Sequence, residues 1–136
     1  MTLLFSTVMK QSPDTGPGNS PHGDPDTKIL EQEKEQTQVL CRYCRSFVTD
    51  QEKQISVNDA HHHVFANPHG LIFDILCYSR AQGCLVLPES SSEFTWFAGY
   101  RWHAVLCRSC SNHLGWFFLS GSDSFFGLIE EHLIIP

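Results

Sequence analysis

The chain has 136 residues and a mass of 15.4 kDa, which corresponds to one domain with room for a tail. Its formal net charge of -6 argues against a nucleic-acid-binding protein, because such proteins normally present a basic face. No run of about 18 apolar residues occurs, so the sequence predicts no membrane-spanning helix. The first ten residues are apolar but lack the basic flank and cleavage site of a secretory signal. Six cysteines without such a signal predict a cytoplasmic protein that binds a metal rather than forming disulfides.

The composition changes sharply near residue 40. Phe5 is the only aromatic residue before that position, and all six cysteines come after it. Four of the seven prolines lie between Pro13 and Pro25, interleaved with glycine, asparagine and serine. Such a segment cannot bury enough apolar surface to offset the entropy cost of ordering it. We therefore expect residues 1–38 to be a disordered tail and residues 39–136 to form the folded domain.

The folded part has the pattern of short strands separated by turns. Alternating or continuous apolar residues predict strands at 71–78, 83–87, within 94–106, and at 114–118, where Leu114, Trp116 and Phe118 alternate. The stretch 94–106 predicts two strands around a turn at Ala98–Gly99, and 125–136 fits either a strand or a short helix. A count of about five to eight short strands indicates a mostly antiparallel β domain.

Two C-x-x-C pairs, Cys41/Cys44 and Cys107/Cys110, predict a metal site. The two-residue spacer lets both thiolates of a pair point at one ion, and two pairs complete a closed tetrahedral site. Zinc is the expected ion, with a structural rather than a catalytic role. Two thioredoxin-like redox motifs are the alternative, but no βαβ pattern surrounds either pair. Three nearby arginines could offset the charge of the four thiolates: Arg42, Arg45 and Arg108.

The remaining cysteines and most histidines are predicted to be structural. Cys77 and Cys84 lie in apolar strands, which favours buried thiols, whereas a redox pair would need them close together and exposed. The run His61–His63 is similar to a metal-binding tract. Neighbours in a strand face opposite sides, however, so three consecutive imidazoles cannot point at one ion, and we expect no second metal. His103 and His113 are assigned structural or surface roles.

The three tryptophans, Trp96, Trp102 and Trp116, lie close together in sequence around the second cysteine pair. A packed core explains any one of them. In a regular strand Phe118 lies on the same face as Trp116. The three tryptophans together with Phe118 therefore favour a wall of flat rings. Such a wall suits a quaternary ammonium ion or a flat neutral ring.

The segments 94–102 and 107–118 resemble the tryptophan-cage motif of the thalidomide-binding (CULT) domain of the cereblon family. Asn67-Pro68-His69-Gly70 is similar to the loop beside that pocket, and Phe126-Gly127-Leu128 to the family's C-terminal strand. The likeness covers about residues 39–134 and is greatest to the small stand-alone versions known from bacteria. It implies a β-tent, in which two antiparallel sheets meet at an angle with zinc at the apex.

The resemblance also implies non-enzymatic binding of cyclic imides, such as glutarimide, succinimide, hydantoin or uracil-like rings, including imide-ended protein fragments. The binding residues that it implies are Trp96, Trp102, Trp116, Phe118, Phe94 and Asn67. The four rings would form the walls, and Asn67 would border the pocket. Backbone groups of Phe94 and Trp96 would pair with the imide edge, because a buried polar edge must be hydrogen-bonded.

The chain departs from the family at Phe94, where cereblon carries a histidine that could add a side-chain hydrogen bond. The sequence also has no room for the upstream Lon-like domain or for the region that docks the ubiquitin-ligase adaptor. We therefore expect a monomeric module that binds a small molecule or an imide-modified peptide. We expect no nucleic acid, membrane or ligase adaptor among its partners.

Three alternatives remain open from the sequence. A B-type methionine sulfoxide reductase resembles this chain in its zinc and tent, but it needs a nucleophilic cysteine after the second pair, and none follows Cys110. A methyl-ammonium reader needs acidic groups at the cage, where only Glu93 is near. A zinc-stabilised protein-interaction module would simply pack the rings into a core.

Overall fold

The computed structural model describes residues 36–136, which form nine β-strands in two antiparallel sheets. The smaller sheet has the order β2-β1-β9, with β1 at Gln38–Cys41, β2 at Phe47–Asp50 and β9 at Leu133–Ile134. The larger sheet has the order β3-β4-β8-β7-β6-β5. Its strands are β3 (His62–Ala66), β4 (Ile72–Tyr78), β5 (Cys84–Val86), β6 (Arg101–Cys107), β7 (His113–Ser120) and β8 (Asp123–Ile129). The predicted mostly β fold of two antiparallel sheets is confirmed.

The prediction of a disordered tail concerns residues 1–38, and residues 1–35 lie outside the described part of the chain. β1 begins at Gln38, and the Thr37 hydroxyl donates to Asp50 Oδ2 at 2.9 Å. Within residues 36–136, no helix has the length and apolar character that crossing a bilayer requires.

Most predicted strands occur close to their expected positions. β4, β5 and β7 match the three apolar patterns, and the stretch 125–136 continues β8 to Ile129. A 3-10 turn at Glu130–His132 then leads into β9. No strand was predicted at β1, β2 or β3, because these short segments mix polar and apolar residues.

The prediction of two strands within 94–106 is wrong for its first half. Residues 94–100 form a loop, and only Arg101–Cys107 is a strand. Phe94 adopts a left-handed conformation with φ of 57°, which no strand accommodates. The turn at Ala98–Gly99 is present, closed by a bond from Tyr100 N–H to Phe97 O at 3.0 Å, but it joins a loop to a strand.

The core consists of two clusters of buried residues on opposite faces of β4. The first cluster surrounds the cysteines and draws residues from both sheets, including Val39, Val48, Leu76, Tyr78, Leu114, Leu128 and Leu133. The second, aromatic cluster contains Cys77, Phe97, Phe118 and Phe125. Leu76 and Tyr78 enter the first cluster while Cys77 enters the second. Both faces of this end of β4 are therefore covered, as its nearly uncharged sequence indicates.

A β-bulge in β7 explains why one strand serves both clusters. Leu106 pairs with His113 and Val105 with Gly115, so Leu114 is the extra residue. The predicted alternation of Leu114 with Trp116 and Phe118 on one face is therefore wrong for Leu114, which packs in the cysteine cluster. Gly115 has a φ of 153°, and an added Cβ would lie 2.2 Å from the carbonyl oxygen of Gly127. Only glycine fits this close approach between β7 and β8.

Candidate functional site

The two cysteine pairs fold into nearly identical turns. In the first, Arg45 N–H donates to Cys41 O at 2.8 Å, and Arg45 has a φ of 66°. In the second, Ser111 N–H donates to Cys107 O at 2.8 Å, and Ser111 also has a φ of 66°. The same local sequence spacing therefore builds the same turn twice, once after β1 and once after β6.

The four cysteine sulfurs lie together, all within 4.8 Å of one another. Cys41 Sγ is 3.7 Å from Cys110 Sγ, and Cys44 Sγ is 3.6 Å from Cys107 Sγ. Four sulfurs bound tetrahedrally at about 2.3 Å from a zinc ion lie about 3.8 Å apart. The spacing of the sulfurs therefore fits a tetrahedral metal ion, and the cluster can hold one.

The thiols of the cluster differ in acidity. Burial raises the pKa of Cys41 far above its ordinary value, and burial also raises the pKa of Cys44. Burial acts in the same direction on Cys107, but hydrogen bonds from the Ser46 hydroxyl and from the backbone N–H groups of Cys110 and Ser109 lower the pKa of Cys107 to about 7. Without an ion the sulfurs of Cys41 and Cys44 would therefore hold protons, which a metal must displace on binding.

The two arginines at equivalent positions in the turns bind main-chain carbonyls. Arg42 donates from Nε to Glu131 O at 2.7 Å and from Nη2 to Leu133 O at 3.1 Å. Arg108 donates from Nη2 to Cys84 O at 3.0 Å. Each guanidinium therefore connects a cysteine turn to a segment distant in sequence, in addition to bringing positive charge near the cluster.

A cavity of about 570 Å³ opens beside the aromatic cluster. Its lining contains every residue that the sequence analysis assigned to ligand binding, together with two neighbours: Asn67, Pro68, His69, Phe94, Trp96, Trp102, Trp116 and Phe118. The rings of Trp96 and Trp116 stand nearly perpendicular, with centroids 4.7 Å apart and an interplanar angle of 78°. Phe118 is only 1% exposed and forms the floor.

The walls are held in place by contacts behind them. Trp96 stacks on Phe65 at 4.9 Å, and Trp116 meets Phe73 edge-on at 5.4 Å. Phe65 and Phe73 are directly paired across β3 and β4, so these strands present one aromatic face to the cavity walls. This support was not predicted from the sequence. The signal was the alternation of His63 and Phe65, which indicates a strand.

Two of the three indole N–H groups are used inside the protein. Trp96 Nε1 donates to Ala66 O at 3.1 Å, and Trp102 Nε1 donates to Glu93 O at 2.8 Å. Asn67 Oδ1 accepts from the N–H groups of His69 and Leu71, at 3.0 and 2.9 Å, and so shapes the loop at the rim. These bonds orient the two rings and the loop without using the cavity.

The main chain of the 94–96 loop differs from the rest of the site. No hydrogen bond made within residues 36–136 uses the backbone N–H or C=O of Phe94 or Trp96. Thr95 Oγ1 bonds with Phe97 instead, donating to Phe97 O at 3.2 Å. Both Phe94 and Trp96 line the cavity. Two of the residues that line the cavity therefore have main-chain donors and acceptors without a partner in the described part of the chain.

The other singled-out residues have structural contacts. Cys77 and Cys84 are buried, at 0% and 3% exposure, and burial raises the pKa of each to about 12. The imidazoles of His103 and His113 bond with the carbonyls of Leu87 and Gly115, at 2.8 and 2.9 Å. Burial lowers the pKa of His113. The prediction that these residues are structural agrees with their contacts.

These features define a class of protein: a small antiparallel β domain with a four-cysteine metal site and an aromatic cavity. No known family profile matches the chain. Curated proteins named cereblon do match it. The chain is 31% identical over 105 residues to the Drosophila yakuba protein, 35% over 75 residues to that of Gallus gallus, and 29% over 105 residues to that of Danio rerio.

These alignments cover 70%, 52% and 72% of the chain, respectively. The domain described here is a cereblon-type (CULT) domain, as the resemblance indicated. The aligned part spans only 18%, 17% and 24% of the three relatives' own lengths.

Proposed function

We propose that the domain binds neutral cyclic imides in the aromatic cavity. The observation that carries the proposal is the combination of a cavity walled by three indoles with a loop whose peptide groups at Phe94 and Trp96 lack partners within residues 36–136. An imide edge presents an acceptor, a donor and an acceptor in one plane. Peptide N–H and C=O groups complement that pattern, while the methylenes of the ring gain from the apolar walls.

The charge of the cavity favours a neutral ligand over an ammonium ion. None of its eight lining residues is acidic. Glu93 is not among them, although its main-chain carbonyl accepts the hydrogen bond from Trp102 Nε1. A methyl-ammonium reader combines rings with nearby carboxylates, which strengthen the attraction of the cation. This aromatic site therefore suits a flat neutral ring better.

We propose that the domain acts as a binding module rather than an enzyme. His69 is the only lining residue with an ionisable side chain, and no cysteine or serine lines the cavity. A sulfoxide reductase needs a thiolate at the substrate. Cys77 and Cys84, the two cysteines outside the metal cluster, are buried and have raised pKa values.

We further propose that the ion held by the four cysteines is zinc and that it stabilises the fold. Four thiolates in a closed tetrahedron are the donor set of structural zinc sites, which leave no position open for substrate. None of the six cysteines forms a disulfide, which fits a reducing compartment such as the cytoplasm. The folded unit is proposed to extend over residues 39–136.

Intrinsic fluorescence tests the imide proposal directly, because all three tryptophans of the chain line the cavity. We expect saturable changes on titration with glutarimide, succinimide, hydantoin and uracil. A ligand of about eight heavy atoms should bind with a dissociation constant in roughly the micromolar range. The matched control is the N-methylated imide, which keeps the ring but lacks the one donor.

Four outcomes separate the competing functions. Weaker binding of the N-methylated ring supports the proposal. Equal binding of both rings contradicts recognition of the imide edge. A response to tetramethylammonium without one to any imide favours a methyl-ammonium reader, and no response to any of these ligands favours an interaction module with a packed aromatic core.

A further inference from the structure

The histidine run 61–63 lies at the start of the β3 region, and its side chains divide between the two faces of the sheet. His61 Nδ1 bonds with Ile55 O at 3.1 Å, and His63 Nε2 bonds with the carbonyls of Val57 and Ala60 at 3.0 Å. His62 points to the opposite face, where its Nε2 lies 2.9 Å from Asp74 Oδ1 and 3.9 Å from Glu130 Oε1. One imidazole thus meets two carboxylates from other elements.

The sheet register explains this meeting. His62 pairs with Leu76 and Val64 with Asp74, so His62 and Asp74 are diagonal neighbours on one face of β3 and β4. On the other side of β4, Ile75 pairs with Ile129. Glu130 follows Ile129 and therefore comes next to Asp74. The group is therefore positioned by β3, by β4 and by the 3-10 turn that directly follows β8.

The three side chains are each about half exposed, at 48% for His62, 40% for Asp74 and 50% for Glu130. In residues 36–136, neither carboxylate forms an ion pair with a lysine or arginine; the imidazole is the only basic group within reach. Two negative charges are therefore held side by side on a rigid sheet without a cationic side chain to balance them.

We propose that His62, Asp74 and Glu130 bind a divalent transition-metal ion, such as Co²⁺ or Zn²⁺, on the outer face of the larger sheet. Their nitrogen and carboxylate oxygens suit these ions, and the three donor atoms lie within 4.8 Å of one another. Donors bound to one such ion at about 2.1 Å lie roughly 3.0–3.4 Å apart. Binding therefore requires the exposed Glu130 side chain to move inward and the His62 ring to turn its Nε2 from Asp74 Oδ1 toward the ion. The open coordination positions would hold water or a partner's side chain.

This site is separate from the cysteine cluster and independent of the imide proposal. Co²⁺ distinguishes the two metal sites, because thiolate coordination gives intense charge-transfer absorption whereas nitrogen and oxygen ligands give weak visible bands. We expect the full chain, carrying its native ion at the cysteines, to bind one further Co²⁺ with weak bands only. Calorimetry gives its affinity.

The variant His62→Gln should weaken that binding at least tenfold, and Asp74→Asn should do the same. Glu89→Gln, which removes an exposed carboxylate elsewhere, is the control and should leave the affinity unchanged. Circular dichroism checks that each variant is folded. Unchanged Co²⁺ affinity in folded His62→Gln would overturn the proposal. So would thiolate charge-transfer bands as the only signal, because the added ion would then be exchanging into the cysteine cluster.

Discussion

The cysteine cluster and the aromatic cavity lie towards opposite ends of β6, yet they use their polar groups in opposite ways. At the cluster, backbone N–H groups bond to sulfurs and to carbonyls of the same turn, and Arg42 and Arg108 bond to distant carbonyls. At the cavity, the peptide groups of Phe94 and Trp96 have no partner within the described chain. The difference is the one expected if the cluster supports the fold and the cavity receives a ligand, as proposed above.

Loss of one metal ligand should have the largest effect. Cys107→Ser should unfold the domain, because apparent binding free energies of about 10–16 kcal/mol for structural zinc are comparable with the whole stability of a small domain. Circular dichroism and metal content measure the result. Cys84→Ala, directly opposite Cys107 on β5, is the control and should retain the metal. A folded, metal-free Cys107→Ser protein would contradict the structural role of the ion.

Gly115 lies in β7 between the residues that pack in the cysteine cluster and those that line the aromatic cavity. Gly115→Ala should therefore destabilise both regions. The new Cβ would meet Gly127 O at 2.2 Å and carry the strain of a positive φ, a combined cost of about 3 kcal/mol or more. Gly99→Ala is the matched control, since Gly99 also has a positive φ but open space around it. It should cost only about 1–2 kcal/mol. Equal shifts of the denaturant midpoint in the two variants would rule out the clash at Gly115.

Trp102→Ala should abolish or weaken imide binding without unfolding the domain. Trp102 borders the aromatic cluster but forms no stacked or edge-to-face ring pair among residues 36–136, whereas Trp96 and Trp116 pair with each other. Removing one apolar wall should weaken binding at least about tenfold, the equivalent of about 1.4 kcal/mol. Trp102→Phe, which keeps a ring but loses the bond to Glu93 O, should bind with intermediate affinity.

Fluorescence titration and thermal melting should be combined for the two Trp102 variants. If Trp102→Ala unfolds while Trp102→Phe is stable, the indole is part of the core and the cage assignment is weakened. Full imide affinity in folded Trp102→Ala would exclude this ring from the binding site.

The smallest effect is expected for the exposed side chains of the first cysteine turn. Arg42→Ala removes two hydrogen bonds that connect the first turn to Glu131 and Leu133, and should lower stability by about 1 kcal/mol because the side chain is exposed. Metal content and imide binding should not change. Arg45→Ala, in the same turn, should have no measurable effect on the melting temperature. If both variants behave alike, the Arg42 bonds contribute nothing to stability.

Several features could be predicted from the sequence because they depend on local spacing. The two C-x-x-C pairs build two copies of one turn. The alternation of side chains predicted β4 and β7 close to their observed positions. The residues around the cavity were identified through a family resemblance. Pattern alone assigned Phe94–Phe97 to a strand, because the patterning of apolar side chains does not reveal a left-handed residue at Phe94.

Other features were decided only by long-range register. The bulge at Leu114 turns that side chain toward the cysteines and Trp116 toward the cavity. The pairing of β3 with β4 places one histidine of a run of three beside Asp74 and Glu130. The positions at which neighbouring strands end likewise decide that the peptide groups of Phe94 and Trp96 stay unpaired within the described chain. The physical reason is that turn and metal geometry follow from a few covalently linked residues, whereas a cavity exists only after distant strands have been aligned.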